Sequence, residues 1–210
     1  MTIQKSKGKF ITFDGIDGAG KTTQIQLLAD YLRQQGKIVY LTREPGGTAL
    51  SEQIRDLLLA TKNTMSATTE LLLMFAARAE HIAAVLRPKV SAGEWVICSR
   101  FTDATMAYQG YARGVDLAKI RAIAEVVHGN FNPDISLFLD LPAETAAQRR
   151  LERGEGADRF EAESIAFMQA VRAGYLAIAA ENPARCQVID ATQSISQMAA
   201  CIRNKIVNDI

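Results

Sequence analysis

Short runs of apolar and β-branched residues recur along the chain, each followed by a longer stretch with helical spacing. The runs predict strands near Lys9–Phe13, Ile38–Thr42, Trp95–Cys98, Ile135–Leu139 and Gln187–Ile189. They are almost wholly apolar rather than alternating, the pattern of strands buried on both faces of a parallel sheet. Between them, apolar residues three and four apart predict helices near Thr22–Gln35, Leu50–Leu59, Thr69–Leu86, Leu117–His128, Ala143–Arg153, Glu161–Ala180 and Ser194–Val207. Gly36 stands where a helix C-cap belongs, Asn182-Pro183 stops another helix, and Ser194 with Gln197 has the spacing of a capping box. The alternation predicts an α/β fold: a five-stranded parallel sheet with helices on both faces, a three-layer sandwich. Ligands in such folds bind beyond the C-terminal ends of the strands, where Asp14–Thr22, Arg43–Thr48, Ser99–Arg100 and Asp140 fall.

Composition adds mainly exclusions. A chain of 210 residues suits one domain spanning 1–210. Lys plus Arg is 24 and Asp plus Glu is 23, a balance that argues against nucleic-acid or membrane-surface partners. Cys98, Cys186 and Cys201 are scattered, so neither a disulfide framework nor a zinc site is expected, and a reduced cytoplasmic setting is. Met1–Lys9 is polar and basic, without the apolar core of a signal peptide, and the first eight residues read as a loose terminus.

Gly15-Ile16-Asp17-Gly18-Ala19-Gly20-Lys21-Thr22 fits G-x-x-x-x-G-K-[ST], between a strand and a helix. The glycines let backbone N–H groups converge on phosphate, Lys21 reaches the outer phosphates, and the Thr22 hydroxyl suits Mg²⁺. Four further groups narrow the reading. Arg43-Glu44-Pro45-Gly46-Gly47-Thr48 joins a strand-end arginine to a fixed turn, or is a plain turn. Phe75 and Arg78 share a helix face and suit a nucleobase, or are a core ring and a solvated arginine; His81 reads as a structural partner. Arg100, directly after a buried strand and before Thr105, Tyr108 and Gln109, is hard to explain as core and suits an acceptor phosphate. Arg149, Arg150 and Arg153 precede Gly154-Glu155-Gly156-Ala157, with Asp158-Arg159 beyond: a lid of about 149–160 carrying positive charge, or a solvated basic face. A GTPase-type switch would need N-K-x-D and D-x-x-G motifs, which Thr61-Lys62-Asn63 and Asp140-Leu141-Pro142-Ala143 do not supply.

Taken together, FDGIDGAGKTT, TREPGGT, LLLMFAARAEH, SRFTDATMAYQG and RRLERGEGADRFE resemble the bacterial thymidylate kinases, from Phe10 to about Ala191. The resemblance implies a P-loop kinase that moves the γ-phosphoryl group of ATP to dTMP with Mg²⁺, and a homodimer. It implies that Gly15–Thr22 hold ATP and Thr22 the metal, and that Asp17 meets the acceptor sugar. It implies that Arg43 and Arg100 lie near the acceptor phosphate, Phe75 stacks on thymine, Arg78 bonds the base edge, and Thr105, Tyr108 and Gln109 line the pocket. No arginine stands among the loop residues 16–19, so the chain resembles the members with catalytic arginines in the lid. Lys21, Arg100, Arg149 and Arg153 are then the expected catalytic set, with Arg150 next, and Asp190-Ala191 is a candidate adenine contact. Ser99 and Asp14 stand where the family usually has Asp and Glu, and Ala104 replaces a common Ser. Another nucleoside monophosphate kinase or a deoxynucleoside kinase is the alternative.

Overall fold

In the computed structural model, which describes residues 8–153, 159–160 and 163–206, five parallel strands form one sheet. The chain runs β1 (Phe10–Asp14), α1 (Lys21–Gln34), β2 (Val39–Arg43), α2 (Ala49–Leu59), α3 (Ala67–His81), a π-helical turn (Ile82–Leu86) and α4 (Arg87–Ser91). It continues through β3 (Trp95–Ser99), α5 (Thr102–Thr105), a second π-helical segment (Met106–Ala112), α6 (Leu117–Val127) and β4 (Ile135–Asp140). It ends with α7 (Ala143–Arg153), α8 (Ile165–Glu181), β5 (Cys186–Asp190) and α9 (Ile195–Ile206). Most of the expected loose terminus, the glycine island Gly154–Ala157, Asp158 and the side chain of Arg153 lie outside the described residues.

The sheet order is β2-β3-β1-β4-β5, so β1 is central and the chain reverses direction of winding beside it. Every residue of β1 is buried, because helices cover both faces. Its register runs Phe13 to Ser99 on one side and Phe13 to Leu137 on the other, which brings the ends of three strands to one edge. The crevice outside those ends is where a doubly wound sheet binds ligand. A buried polar chain ties the layers: the Thr12 hydroxyl donates to Ser136 Oγ (2.8 Å), Ser136 donates to Asp103 Oδ2 (3.1 Å), and Arg185 donates to both carboxylate oxygens of Asp103.

Three helical expectations need correction. The helix expected to end at Leu86 continues in helical form to Ser91, widened at Ile82–Leu86, where the Arg87 N–H reaches Ile82 O. Pro88 explains the widening: it lacks an N–H and its ring crowds the carbonyl four residues back. The segment 102–112 was not expected to be helical, since Gly110 and the mixed Tyr-Gln-Gly-Tyr composition hide its period. Packing decides there: a Cβ on Gly110 would lie 2.4 Å from Leu117 Cδ2. The helix expected from Glu161 starts after Ser164, whose side chain caps Phe167 N.

Candidate active site

The loop between β1 and α1 is built on glycine. A Cβ on Gly15, at φ +128°, would stand 2.6 Å from Leu139 O, so this position brings β4 and the loop together. Lys21 opens α1 and is buried; its Nζ donates to Gly15 O (2.9 Å), Ile16 O (3.0 Å) and Asp17 Oδ1 (3.3 Å). Burial and neighbouring Arg100 bring its pKa down to about 8. Thr22, at the same helix end, is exposed. A glycine-built loop, a buried lysine and the N-terminus of α1 together suit an anion.

Arg100 joins this loop to the neighbouring cleft. It sits at φ 71°, a left-handed conformation uncommon for a side chain of this size and frequent at functional sites. Its backbone N–H donates to Phe13 O, and its Nη2 donates to both Asp17 carboxylate oxygens (2.8 and 2.9 Å) and to the Tyr108 hydroxyl (3.1 Å). Burial pushes the Asp17 carboxyl up, but the charges of Arg100 and Lys21 outweigh it and hold it well below the usual carboxylate range.

Asp14 behaves in the opposite way. Burial first, then the charge of Asp103, raises its pKa to about 7. Its Oδ1 accepts from the Tyr175 hydroxyl at 3.4 Å, and its Oδ2 is buried without a hydrogen-bond partner among the described residues. Ser99, at the end of β3, is half-buried.

Beside Arg100 lies an open cleft of about 570 Å³, lined by Asp17, Glu44, Pro45, Arg55, Leu59, Met74, Arg78, Arg100, Ala104, Thr105, Tyr108, Gln109 and Phe160. Arg78 is its best-fixed side chain. Its Nε donates to Glu44 Oε2 (2.7 Å), and its Nη2 donates to Phe101 O (3.1 Å) and Thr105 Oγ1 (3.0 Å). Its Nη1 is buried with no hydrogen-bond partner among the described residues. Glu44 also takes His81 Nδ1 (3.0 Å), and His81 Nε2 meets the Thr42 hydroxyl (2.8 Å). His81 is thus a structural partner, as its position in the sequence suggests. Gly47 closes over that imidazole; at φ +91°, a Cβ there would come within 2.5 Å of Nε2. Glu44, His81 and Cys98 lie close enough to share a cation, but Arg78 already neutralises Glu44 and hydrogen bonds engage both imidazole nitrogens.

Several expected residues stand elsewhere. Phe75 does not line the cleft: its ring packs with Leu71, Ile120 and Ala124, and the Arg78 guanidinium lies 4.9 Å over it. Met74, one residue earlier and about 100° around the helix, lines the cleft instead. Arg43 is also absent from the lining; it is half-exposed and paired with Glu52 (2.9 Å). Arg55 occupies the cleft wall and donates to Pro45 O (2.8 Å). Asp140 is held by both ends of the Arg172 guanidinium (2.6 and 2.8 Å). Arg149 donates to Ala191 O (3.2 Å) in the turn after β5, and Arg150 has a buried Nη1 without a partner among the described residues. Sequence reasoning missed Arg55, Met74, Glu70 and Phe160. Glu70 had one readable signal, a carboxylate on the same helix face as Met74 and Arg78 in an otherwise apolar run.

The family model described as thymidylate kinase matches residues 13–202. The thymidylate kinase of Nitrosospira multiformis is 50% identical over 200 residues, covering 95% of this chain and 97% of the relative. That of Pseudomonas syringae pv. syringae is 52% identical over 196 residues, 93% of each chain. The crystal structure of thymidylate kinase from Ehrlichia chaffeensis superposes with a TM-score of 0.76 at 36% identity, covering 95% of this chain and 98% of that one.

Proposed function

This chain belongs to the thymidylate kinase family, and we infer that it transfers the γ-phosphoryl group of ATP to dTMP, giving dTDP. The observation that carries the acceptor reading is the cleft itself: a buried, unpartnered Arg78 Nη1 beside Gln109, with Arg100 at the end nearest the phosphate loop. A guanidinium N–H suits thymine O4, and an amide oxygen suits its N3–H. Met74 covers one face of the base where an aromatic ring was expected; a thioether does so by dispersion rather than ring stacking. Arg55 and Arg100 take the acceptor phosphate, and Asp17 the sugar. Arg43, with Glu52, supports that wall from outside.

The donor sits in Gly15–Thr22. The acceptor phosphate is already ionised at neutral pH, so no strong base is needed. The obstacle is the approach of two anions. Lys21 leaves the carbonyls of Gly15 and Ile16 to meet the incoming phosphates, and Arg100, held in line by Asp17, balances charge between the two substrates. Arg153 and Arg150 are the lid arginines assigned to the transferring group. Arg149, beside Ala191, is assigned to the adenine end together with the Asp190-Ala191 turn. Closure of the lid at about 149–160 excludes water from the reaction.

The residues fit a magnesium ion as well. An orphaned Asp14 oxygen and the exposed Thr22 hydroxyl lie at the two ends of the loop, and a cation would restore the charge that burial denies Asp14. Bound with ATP, the ion would neutralise phosphate charge; Thr22 would hold it directly and Asp14 through water. Ser99 removes one anion from this neighbourhood. Ser99→Asp tests the point: unchanged magnesium dependence and turnover would show that Ser99 leaves no functional gap.

Among the described residues no helix is long and apolar enough to cross a membrane. A cytoplasmic, single-domain homodimer is the arrangement proposed. Its support is the pair of adjacent helices α3 and α6, where Leu72 and Val126 stand 52% and 87% exposed. The deciding experiment is an acceptor panel with ATP and Mg²⁺; preference for another nucleotide over dTMP would overturn the assignment.

A further inference from the structure

We propose that Glu70 is a positioning residue for base recognition: it fixes the amide of Gln109 so that the amide oxygen faces the base. Glu70 lies in the first turn of α3 and is 1% exposed. Its Oε1 accepts from Gln109 Nε2 at 2.7 Å, a buried hydrogen bond. A carboxylate paired with arginines has no proton to donate, so only the NH₂ side of the amide can face it. The opposite side of the planar group is then the oxygen, and Gln109 lines the cleft. Without Glu70 the two ends of a glutamine amide are nearly equivalent in shape, and either could turn to the ligand.

The carboxylate is itself held in place. Arg113 Nε approaches Oε1 at 3.4 Å, and Arg159 Nη2 donates to Oε2 at 2.5 Å. Arg113 also pairs with Glu163 (2.6 Å), and Arg159 Nε donates to Leu58 O (2.8 Å). Two guanidinium groups hold the buried carboxylate and leave it little freedom to turn. Gln109 and Arg113 belong to, or directly follow, the π-helical segment, whose wider turn places both side chains toward α3. Phe160, next to Arg159, lines the same cleft and packs edge-on against Tyr108 (5.9 Å). Glu70 therefore joins three separate stretches of chain behind the base-reading wall, without lining the cleft.

The consequence is chemical. A fixed acceptor at Gln109 suits a pyrimidine with a proton on N3, as in thymine and uracil. It meets an unprotonated N3 in cytosine, lone pair against lone pair. Discrimination against cytosine thus depends on a residue that does not line the cleft. The inference rests on the reading of the cleft as the dTMP site.

Kinetics of the wild-type protein and of Glu70→Gln with dTMP and dCMP as acceptors, at saturating ATP, provide the test. The variant is expected to raise KM for dTMP about tenfold with kcat nearly unchanged, and to reduce the preference for dTMP over dCMP by about tenfold, the scale of one mismatched buried hydrogen bond. A purely structural role would lower thermal stability and leave the preference intact; an unchanged preference overturns the inference. Should Glu70→Gln fold poorly, the exchange of Glu70→Gln with Gln109→Glu restores a donor–acceptor pair and keeps an oxygen toward the base. It is expected to recover the dTMP preference, and a folded exchange variant that accepts dCMP as readily as dTMP overturns the inference. A wild-type protein with no preference for dTMP would instead count against the assigned reaction.

Discussion

Asp14 and Asp17, three residues apart, show how much the surroundings of a carboxylate decide. Arg100 and Lys21 keep Asp17 ionised, whereas burial and Asp103 raise Asp14 to about 7. An ordinary carboxylate titrates near 4, so between about pH 4 and 7 the folded chain holds a proton on Asp14 that the unfolded chain has lost. Its contribution to stability therefore falls as pH rises through that window. Asp14→Asn is expected to stabilise the ligand-free protein by on the order of 2–4 kcal/mol at pH 8, and to make little difference below pH of about 4. Chemical denaturation at the two pH values measures this; equal effects at both would contradict it. Arg100→Ala removes the charge between the substrates and is expected to lower kcat/KM for dTMP by about 100-fold or more. Steady-state kinetics would show that loss, with ATP affinity changed far less. At this scale the sequence was a partial guide. Lys21 and Arg100 stood out by position, in the phosphate-loop pattern and directly after a buried strand, whereas Arg78 became a candidate only together with the other motifs. Met74 and Arg55 were not, since a methionine in an apolar helix and an arginine in an amphipathic one look like ordinary packing and solvated charge.

The elements were easier to read than the residues. All five strands were visible, and their ends shifted by only a residue or so; burial on both faces leaves continuous apolar runs in β1, β3 and β4, while the edge strands β2 and β5 are only partly buried. The main helices followed their period, with α7 expected and found at Ala143–Arg153. Helical structure failed to announce itself where packing and proline reshape it, at Met106–Ala112 and Ile82–Leu86. Phe75, expected at the base, packs with core residues, and Met74 beside it lines the cleft. On a helix, one residue is about 100° of rotation, enough to move a ring from the cleft to the core. Two substitutions on α3 separate these faces. Met74→Ala is expected to raise KM for dTMP several-fold with a modest loss of stability. Phe75→Ala removes a buried ring from behind Arg78 and is expected to cost about 3–5 kcal/mol of folding stability. Denaturant unfolding beside acceptor titration distinguishes them; a large base-binding loss without destabilisation in Phe75→Ala would contradict the assignment of faces.

At the scale of the whole molecule, the sheet order brings β1, β3 and β4 to one edge, and the phosphate loop, Arg100 and the cleft meet there. Alternation of strand and helix was enough to foresee this edge, but not which helix faces would be left uncovered. Those faces carry Leu72 and Val126, and Val126→Glu is expected to shift the proposed homodimer toward monomer, as light scattering on a sizing column would register; a monomeric wild-type protein would contradict the proposal. We propose that one cleft, read by Arg78 and Gln109 and adjoining the phosphate loop through Arg100, accepts dTMP. The most direct measurement is the rate of ADP formation from ATP and Mg²⁺ with dTMP, dCMP, dGMP and dAMP offered in turn. Turnover with dTMP well above the other three is the expected result; equal or greater turnover with any of them would contradict the claim.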